Sequence, residues 1–255
     1  MASESAGKVV PENTVAPANH FRQGAWRLVS YLGEAESLAL LSVIEQGEMT
    51  FTRVFRDNRR TLSARIETDT DGALMLKVPR ARNGRRWERM LTFFRGSDAV
   101  RSFHQLEKMK AMGFAAPDPV LACEKRQSGV VVDAFLCYRF VDGRPAEAGD
   151  AGLVLDALRR LHRAGYLRTD AQRANFLMDG DQVVFIDFRL KRPRFFASLQ
   201  KARELDRFIR SCPEAAVHLT DQERASLWLR LAHRLENLSF AIRESKRDIR
   251  RKKQQ

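Results

Sequence analysis

The alternation of hydrophobic and polar positions predicts a strand-rich first half. Two runs of β-type composition, residues 49–55 and 61–67, flank the polar stretch Arg56–Arg60, which is the pattern of a β-hairpin. Further strand-like runs follow at 73–79, after an Asp-Thr-Asp-Gly turn, and at 120–126 and 130–143. Among them, one stretch at 97–114 has helical spacing, with Val100, Phe103, Leu106 and Met109 on one face. This half therefore predicts an antiparallel sheet with one main helix.

The second half has mainly helical periodicity. Residues 152–166 place apolar side chains at helical spacing and end near Gly165, a plausible C-cap. The apolar positions of that face are Leu153, Ala157, Leu158 and Leu161. A second amphipathic helix, 223–242, places Trp228, Leu231, Leu235 and Leu238 on one face, which we expect to pack on the helical lobe. Between the helices, 176–180 and 182–186 predict two strands around the turn Asp179-Gly180.

The candidate chemistry lies around that short hairpin. Asp170 and Asn175 match the pattern D-x-x-x-x-N of a kinase catalytic loop, and Asp187-Phe188-Arg189 stands where kinases have D-F-G. In phosphoryl transfer from a Mg-nucleotide, one carboxylate orients the attacking hydroxyl, and an amide oxygen with a second carboxylate holds the metal. The order helix, polar loop, hairpin and acid predicts Asp170 as the catalytic residue and Asn175 with Asp187 as metal ligands.

A nucleotide-binding role is predicted for three basic residues of the first half. Lys77 lies near the end of the third strand of the run, the position from which kinases grip the phosphates of ATP. The first hairpin has an arginine-rich turn in place of a glycine-rich loop, so Arg59 and Arg60 are candidates to contact the phosphates through their charge. Either Glu88 or Glu107, or neither, is the acidic partner of Lys77.

Composition adds constraints on compartment and partners. The net charge of +13 is concentrated in 53–60, 80–89, 189–210 and the C-terminal residues from Lys246, which indicates anionic partners. Zinc-finger spacing and RNA-binding signatures are absent from the sequence, so nucleic acid is not an expected partner. The three cysteines show no metal-like spacing, and the N-terminus lacks a secretory pattern; both favour a reducing cytoplasm.

Segments 76–103, 111–125 and 161–196 together resemble the lipopolysaccharide core heptose kinase family of Gram-negative bacteria and related small kinase-like sugar kinases. The resemblance covers about Met49 to Arg210. It implies a protein-kinase-like fold, ATP with Mg²⁺ as cofactors, and phosphorylation of an inner-core heptose of the lipopolysaccharide core glycolipid at the cytoplasmic face of the inner membrane. It also implies the roles given above for Lys77, Asp170 and the two metal ligands.

The chain departs from the family pattern at three places. Arg168-Thr169-Asp170 replaces the usual His-Gly-Asp, Ser102 stands where a glutamate is common, and no glycine follows Phe188. The histidine of the family mainly supports loop geometry, so Arg168 is compatible with activity. Two alternatives stay open: a non-catalytic kinase-like scaffold or regulator, and a kinase for a different sugar or small molecule.

The expected fold class is α+β, a protein-kinase-like two-lobe fold with an antiparallel-sheet N-lobe and a mainly helical C-lobe. We expect a flexible segment at 1–20, a nucleotide-binding N-lobe at 21–142, a catalytic C-lobe at 143–245 and a basic tail at 246–255. The tail and the basic patches are expected to make peripheral contact with an anionic membrane. The sequence leaves the oligomeric state open.

Overall fold

The computed structural model describes residues 17–68, 72–80 and 86–252. The chain divides into two compact units, one ending at Phe140 and one beginning at Val141. The sequence analysis placed this boundary two residues later, after Asp142. Most of the predicted flexible segment 1–20 lies outside the described residues, but the first strand already begins at Asn19.

The first unit is built on one antiparallel sheet. In the described part of the chain it has seven strands in the order β1-β2-β6-β7-β5-β4-β3. The strands are β1 (Asn19–Gln23), β2 (Trp26–Ser30), β3 (Phe51–Asp57), β4 (Leu62–Thr68), β5 (Gly72–Val78), β6 (Pro119–Gln127) and β7 (Val130–Arg139). Alternation sets the buried face, since Leu62, Ala64 and Ile66 of β4 point inward while the residues between them do not. The predicted hairpin β3–β4 is confirmed.

Three helices accompany this sheet within the described residues: α1 (Glu34–Gln46), α2 (Arg86–Arg95) and α3 (Asp98–Ala111). The α3 helix begins where the Ser97 hydroxyl accepts a hydrogen bond from the Val100 N–H at 3.1 Å. It buries Phe103, Leu106 and Met109, as the spacing predicted. Leu40 and Leu41 of α1 complete the core under β2, β5 and β6.

The second unit is mainly helical and carries one small antiparallel sheet, in the order β10-β9-β8. Its elements are β8 (Arg144–Pro145), α4 (Ala151–Arg163), β9 (Phe176–Asp179), β10 (Gln182–Phe185), α5 (Ala197–Ser211), α6 (Asp221–Ala225) and α7 (Leu227–Lys252). The predicted hairpin 176–186 is confirmed, with Gly180 at a φ of 57° in its turn. None of the helices in the described residues is long and apolar enough to cross a bilayer.

Two predicted helix faces need correction. Leu153 is exposed on α4, and the buried face runs instead through Val154, Leu155, Leu158 and Leu161. On α7 the apolar stripe that includes Trp228 was expected to pack on the lobe, yet all its members are exposed. The helix is attached to the unit by the opposite, more polar side, because α5 offers charged partners there. It also continues to Lys252, so 246–252 of the predicted tail are helical.

Candidate active site

Asp170 lies on the loop between α4 and β9, and the loop is tied down on both sides. Leu167 pairs with Lys191 as an antiparallel bridge, with N···O distances of 2.9 and 2.8 Å. The Arg189 N–H donates to the Arg168 carbonyl at 3.0 Å. The segment after Asp187 therefore runs beside the segment before Asp170. The side chain of Asp170 itself is about half exposed, at 48%.

A buried carboxylate on α5 holds the backbone immediately before Asp170. Glu204 Oε1 accepts the N–H of Arg168 at 2.8 Å and the N–H of Thr169 at 2.7 Å. Its other oxygen lies 2.8 Å from Nε2 of His162 on α4. Both Glu204 and His162 are buried. The sequence analysis missed both residues, because nothing local to them indicates a contact across 36 positions.

Arg168 links the three segments that carry the predicted site. Its guanidinium donates to the carbonyl of Asn175 at 3.2 Å and to the carbonyl of Ile186 at 3.0 Å. It lies 4.3 Å from the ring centroid of Phe176, and the side chain is fully buried. Burial lowers its pKa to about 10, while the negative charges of nearby acids, Glu204 first among them, act in the opposite direction. At neutral pH it remains a buried cation in the loop that carries Asp170.

Thr169 occupies a backbone conformation that suits glycine. Its φ is 75°, in the left-handed region where a β-branched residue is strained. Both of its backbone groups are held, since its N–H donates to Glu204 and its carbonyl accepts from Arg207 at 3.2 Å. The family pattern has glycine at this position, so the strain at Thr169 is a local consequence of that departure. The surrounding hydrogen bonds keep the loop in place.

The structure brings Asn175 and Asp187 together at the mouth of the β9–β10 hairpin. The Ile186 N–H donates to the Asn175 carbonyl at 3.2 Å, so Asp187 follows directly after this pairing. The Asn175 amide donates to the Asp170 carbonyl at 3.0 Å, which leaves its side-chain oxygen as a possible cation ligand. Asp187 is exposed with a φ of 52°, while Phe188 beside it is buried.

These residues fit a magnesium site of the kinase type. Mg²⁺ prefers hard oxygen ligands and is commonly bound through one or two carboxylates, with phosphates and water completing the shell. Asn175 and Asp187 offer one amide oxygen and one carboxylate. The described residues contain no cluster of three or more His, Cys, Asp or Glu side chains suited to a metal. A metal held by Asn175 and Asp187 would have the rest of its shell filled by phosphate oxygens and water.

Arg207 connects Asp170 to the C-terminal helix. Its Nη1 lies 3.5 Å from Oδ1 of Asp170, and its Nη2 donates to Glu236 of α7 at 3.2 Å. Arg203, one turn earlier on α5, donates to the other oxygen of Glu236 at 3.3 Å. Burial alone would raise the pKa of Glu236, but the hydrogen bonds from both arginines outweigh it and hold that pKa below its usual range.

The predicted nucleotide residues lie on neighbouring parts of the first unit. Lys77 is on β5, half-buried, with Ser63 and Leu136 as its strand partners. Arg59 and Arg60 are exposed in the β3–β4 turn. Asn58 closes this turn, since its side-chain oxygen accepts the N–H groups of Arg60 and Thr61 at 2.8 and 2.9 Å. An Asn-closed arginine turn thus replaces a glycine-rich loop.

Of the two candidate acidic partners of Lys77, the structure describes the side chain of Glu107. Glu107 Oε1 accepts a hydrogen bond from the Tyr31 hydroxyl at 2.7 Å, and its Oε2 lies 2.6 Å from Nδ1 of His104. Both oxygens therefore already have partners, one just after β2 and one on α3 itself. The side chain of Glu88 lies outside the described part of the chain.

The fold matches known kinase structures. WaaP in complex with acyl carrier protein superimposes with a TM-score of 0.52 at 16% identity, covering 81% of this chain and 88% of that chain. The Rio2 kinase from Chaetomium thermophilum, in its complex with ADP/Mg²⁺ and phosphoaspartate, gives a TM-score of 0.50 at 16% identity, covering 85% of this chain and 71% of that chain. The predicted α+β, protein-kinase-like fold class is confirmed.

The class defined by the fold is therefore that of proteins with a protein-kinase-like fold. Residues 36–211 match the model of the family described as lipopolysaccharide core biosynthesis protein (WaaY), and the chain belongs to that family. The resemblance drawn from the sequence motifs is confirmed at this level. Family and fold together agree with the predicted enzyme class, a phosphotransferase of lipopolysaccharide core biosynthesis.

Proposed function

We propose that this chain is an ATP-dependent kinase that phosphorylates a heptose hydroxyl of the lipopolysaccharide inner core. The observation that carries the proposal is the assembly of Asp170, Asn175 and Asp187 around one hairpin mouth, joined by the buried Arg168. Family membership supports the lipopolysaccharide core as the setting. The acceptor would be a sugar of the core glycolipid.

Each predicted residue has a distinct role in this proposal. Asp170 orients the acceptor hydroxyl and takes up its proton, for which the half-exposed carboxylate suits it. Asn175 and Asp187 hold Mg²⁺, which would neutralise the phosphate charges. Lys77, with Arg59 and Arg60, contacts the phosphates of ATP from the first unit. Arg168 and Glu204 position the loop and touch neither substrate.

The acceptor chemistry is consistent with the basic character of the chain. The net charge of +13 favours a glycolipid core that carries phosphates and acidic sugars. We place the activity at the cytoplasmic face of the inner membrane, with peripheral contact to its anionic surface. The basic segment after Asp187 is anchored at Arg192, which donates to the Tyr166 hydroxyl at 2.6 Å, and is a candidate to contact the acceptor.

The scaffold alternative makes a different prediction for the catalytic loop. A non-catalytic module has no need to keep a carboxylate, an amide and a second carboxylate in one place. Here Arg168 donates hydrogen bonds that join all three segments. This favours a working enzyme over a scaffold.

Activity is tested with core oligosaccharide from a strain that lacks this protein, since that acceptor has not received its phosphate. The purified chain, ATP and Mg²⁺ should add one phosphate, detected and located by mass spectrometry. No transfer to this acceptor, combined with ATP binding that is intact, would point to another sugar or a small molecule. If the chain neither transfers phosphate nor binds ATP, the result would support the scaffold alternative.

The metal assignment is tested by Asp187→Asn in calorimetric titrations with ATP. The affinity for ATP should fall strongly with Mg²⁺ present and little without it, because a carboxylate is a stronger ligand for a hard cation than an amide. Asp179→Asn, in the exposed turn of the same hairpin, is the matched control and should leave both affinities unchanged. Equal losses with and without Mg²⁺ would make Asp187 a structural residue.

A further inference from the structure

The long helix α7 exposes a continuous apolar stripe. Its members follow the spacing three, four, three, four, which places them on one side of the helix. They are Trp228, Leu231, Leu235, Leu238 and Ile242, between 36% and 58% exposed. A stripe of five large apolar side chains on a single face is more than the scattered exposure that is normal for a protein surface.

The other side of α7 is already committed to the second unit. Ala232 and Glu236 are buried there, and Glu236 receives Arg203 and Arg207 of α5. Asp206 and Arg210 of α5 contact His233 at 2.9 Å each. Arg210 also donates to Asn237 at 2.8 Å. The side attached to α5 is polar and hydrogen-bonded. The exposed stripe is therefore a separate face of α7, which does not pack against α5.

The charge of α7 identifies a partner for the stripe. The segment 227–252 contains eight Lys or Arg against three Asp or Glu, a net charge of +5. Arg230 and Arg234 are exposed and follow the stripe along one flank at helical spacing. Trp and Leu on one face with Arg beside them are typical of helices that lie in the headgroup region of an anionic membrane.

We propose that α7 is a membrane-docking helix, which lies in the interface of an anionic phospholipid bilayer with the Trp228–Ile242 stripe toward the acyl chains. Arg230 and Arg234 then lie at the level of the anionic headgroups. The alternative partner for a stripe with heptad-like spacing is the same helix of a second copy of the chain. It is disfavoured because pairing two such helices would bring two strongly positive segments together.

The docking helix is connected to the proposed active site. Glu236, on the attached side of α7, contacts Arg207, and Arg207 contacts Asp170. Docking through the stripe would leave these contacts intact, since they lie on the other side of the helix. The membrane-bound form therefore keeps the catalytic loop as the structure describes it.

The test is co-sedimentation of the full chain with vesicles, without ATP or acceptor. We expect binding to vesicles that contain phosphatidylglycerol, weakened by salt, and little binding to phosphatidylcholine alone. The double variant Leu231→Asp/Leu238→Asp should bind at least about tenfold more weakly, a loss of about 1.4 kcal/mol. An uncharged version, Leu231→Gln/Leu238→Gln, should show a loss in the same direction.

The matched control is Phe240→Asp on the same helix. Phe240 is 52% exposed and lies off the stripe, near Arg210, so the substitution adds one negative charge and removes one large apolar side chain, as each half of the double variant does. It should retain most of the vesicle binding. Thermal unfolding checks that each variant is folded, which their exposed positions favour.

Two outcomes would overturn the proposal. One is a stripe variant that is folded and binds phosphatidylglycerol vesicles like the unmodified chain. The other is that neither protein binds vesicles and light scattering shows a concentration-dependent dimer of the unmodified chain that the stripe variant does not form. The vesicle measurement uses no ATP, so a lack of vesicle binding would not bear on the proposed kinase activity. A lack of phosphate transfer would likewise not bear on the vesicle result.

Discussion

The loop that carries Asp170 and the turn that carries Arg59 and Arg60 hold their functional side chains by different means. Around Asp170, buried groups from α4, α5 and the hairpin converge: Glu204 fixes the backbone and Arg168 joins three segments. The β3–β4 turn depends on its own Asn58 and on Arg80, which pairs with Asp57 at 2.5 Å. Its arginines are exposed.

This difference suggests a division of work. Proton transfer and metal binding require groups held within a fraction of an ångström, and a buried network supplies that precision. Contact with phosphates through arginine requires charge and reach more than fixed geometry. Substitutions in the two regions should therefore differ in kind. Loss of a buried group that holds the predicted catalytic loop should lower both rate and stability, whereas loss of the turn arginines should lower only nucleotide affinity.

The largest effect is expected at Asp170. Asp170→Ala should lower the rate of phosphate transfer by about 10²- to 10⁴-fold, because the group that orients the hydroxyl is removed. Stability should change little, since the side chain is half exposed and its contact with Arg207 is long at 3.5 Å. Steady-state kinetics and thermal unfolding measure the two. Asp179→Ala is the control, and an unchanged rate for Asp170→Ala would remove this residue from the mechanism.

Arg168 should matter for both stability and rate. Arg168→Ala removes the guanidinium donor from the Ile186 carbonyl and one of two donors from the Asn175 carbonyl, and it opens a cavity. We therefore expect a loss of about 3 kcal/mol in the free energy of unfolding. Arg168→Lys should rescue little, because an ammonium cannot reproduce the planar fork. Denaturant titration checks both. A stable Arg168→Ala variant would show that Glu204 and the backbone pairing with 189–191 hold the loop without the guanidinium.

In the arginine turn, Arg59→Ala/Arg60→Ala should raise the KM for ATP by about threefold to tenfold while kcat stays close to its original value. A loss of uniform binding has this kinetic form. The free energy of unfolding should change by no more than about 0.5 kcal/mol, since both side chains are exposed. A large fall in kcat would contradict this difference between the two regions and would mean that the turn arginines stabilise the transition state.

Acid should loosen the junction between α5 and α7 before the rest of the second unit. The pKa of Glu236 is held below its usual value, so its stabilising effect is present above the ordinary glutamate pKa of about 4.3 and is lost as the pH falls through the lower folded value. Stability measured from pH 6 to pH 3 should decline less steeply in Glu236→Gln. Parallel curves for the two proteins would exclude this carboxylate as the cause.

The smallest effect is expected at the strained position. Thr169→Gly relieves a left-handed conformation but makes the unfolded chain more flexible, so a net gain of about 0.5 kcal/mol is expected. The same substitution at Thr52, within β3, should destabilise the protein because no strain is relieved there. Denaturant midpoints distinguish the two. A loss at both positions would mean that the Thr169 side chain contributes contacts that outweigh the strain.

The hydrophobic pattern predicted elements well where local geometry decides them. The hairpin around Gly180 and the buried face of α3 follow from alternation, turn residues and helical spacing, all within a few positions along the chain. The spacing of Asp170, Asn175 and Asp187 likewise indicates a candidate site, and the structure brings their segments together. Their roles in catalysis remain a prediction.

What the sequence alone determined is thus the class of fold, the strands β3 to β7, the β9–β10 hairpin and the candidate residues for phosphoryl transfer. Tertiary structure decided which distant groups hold them: Glu204 reaches Arg168 across 36 positions, and the polar side of α7, not its apolar stripe, faces α5. The physical reason is that periodicity shows which side of a helix is apolar, whereas the partner of each side depends on where other elements place their charges.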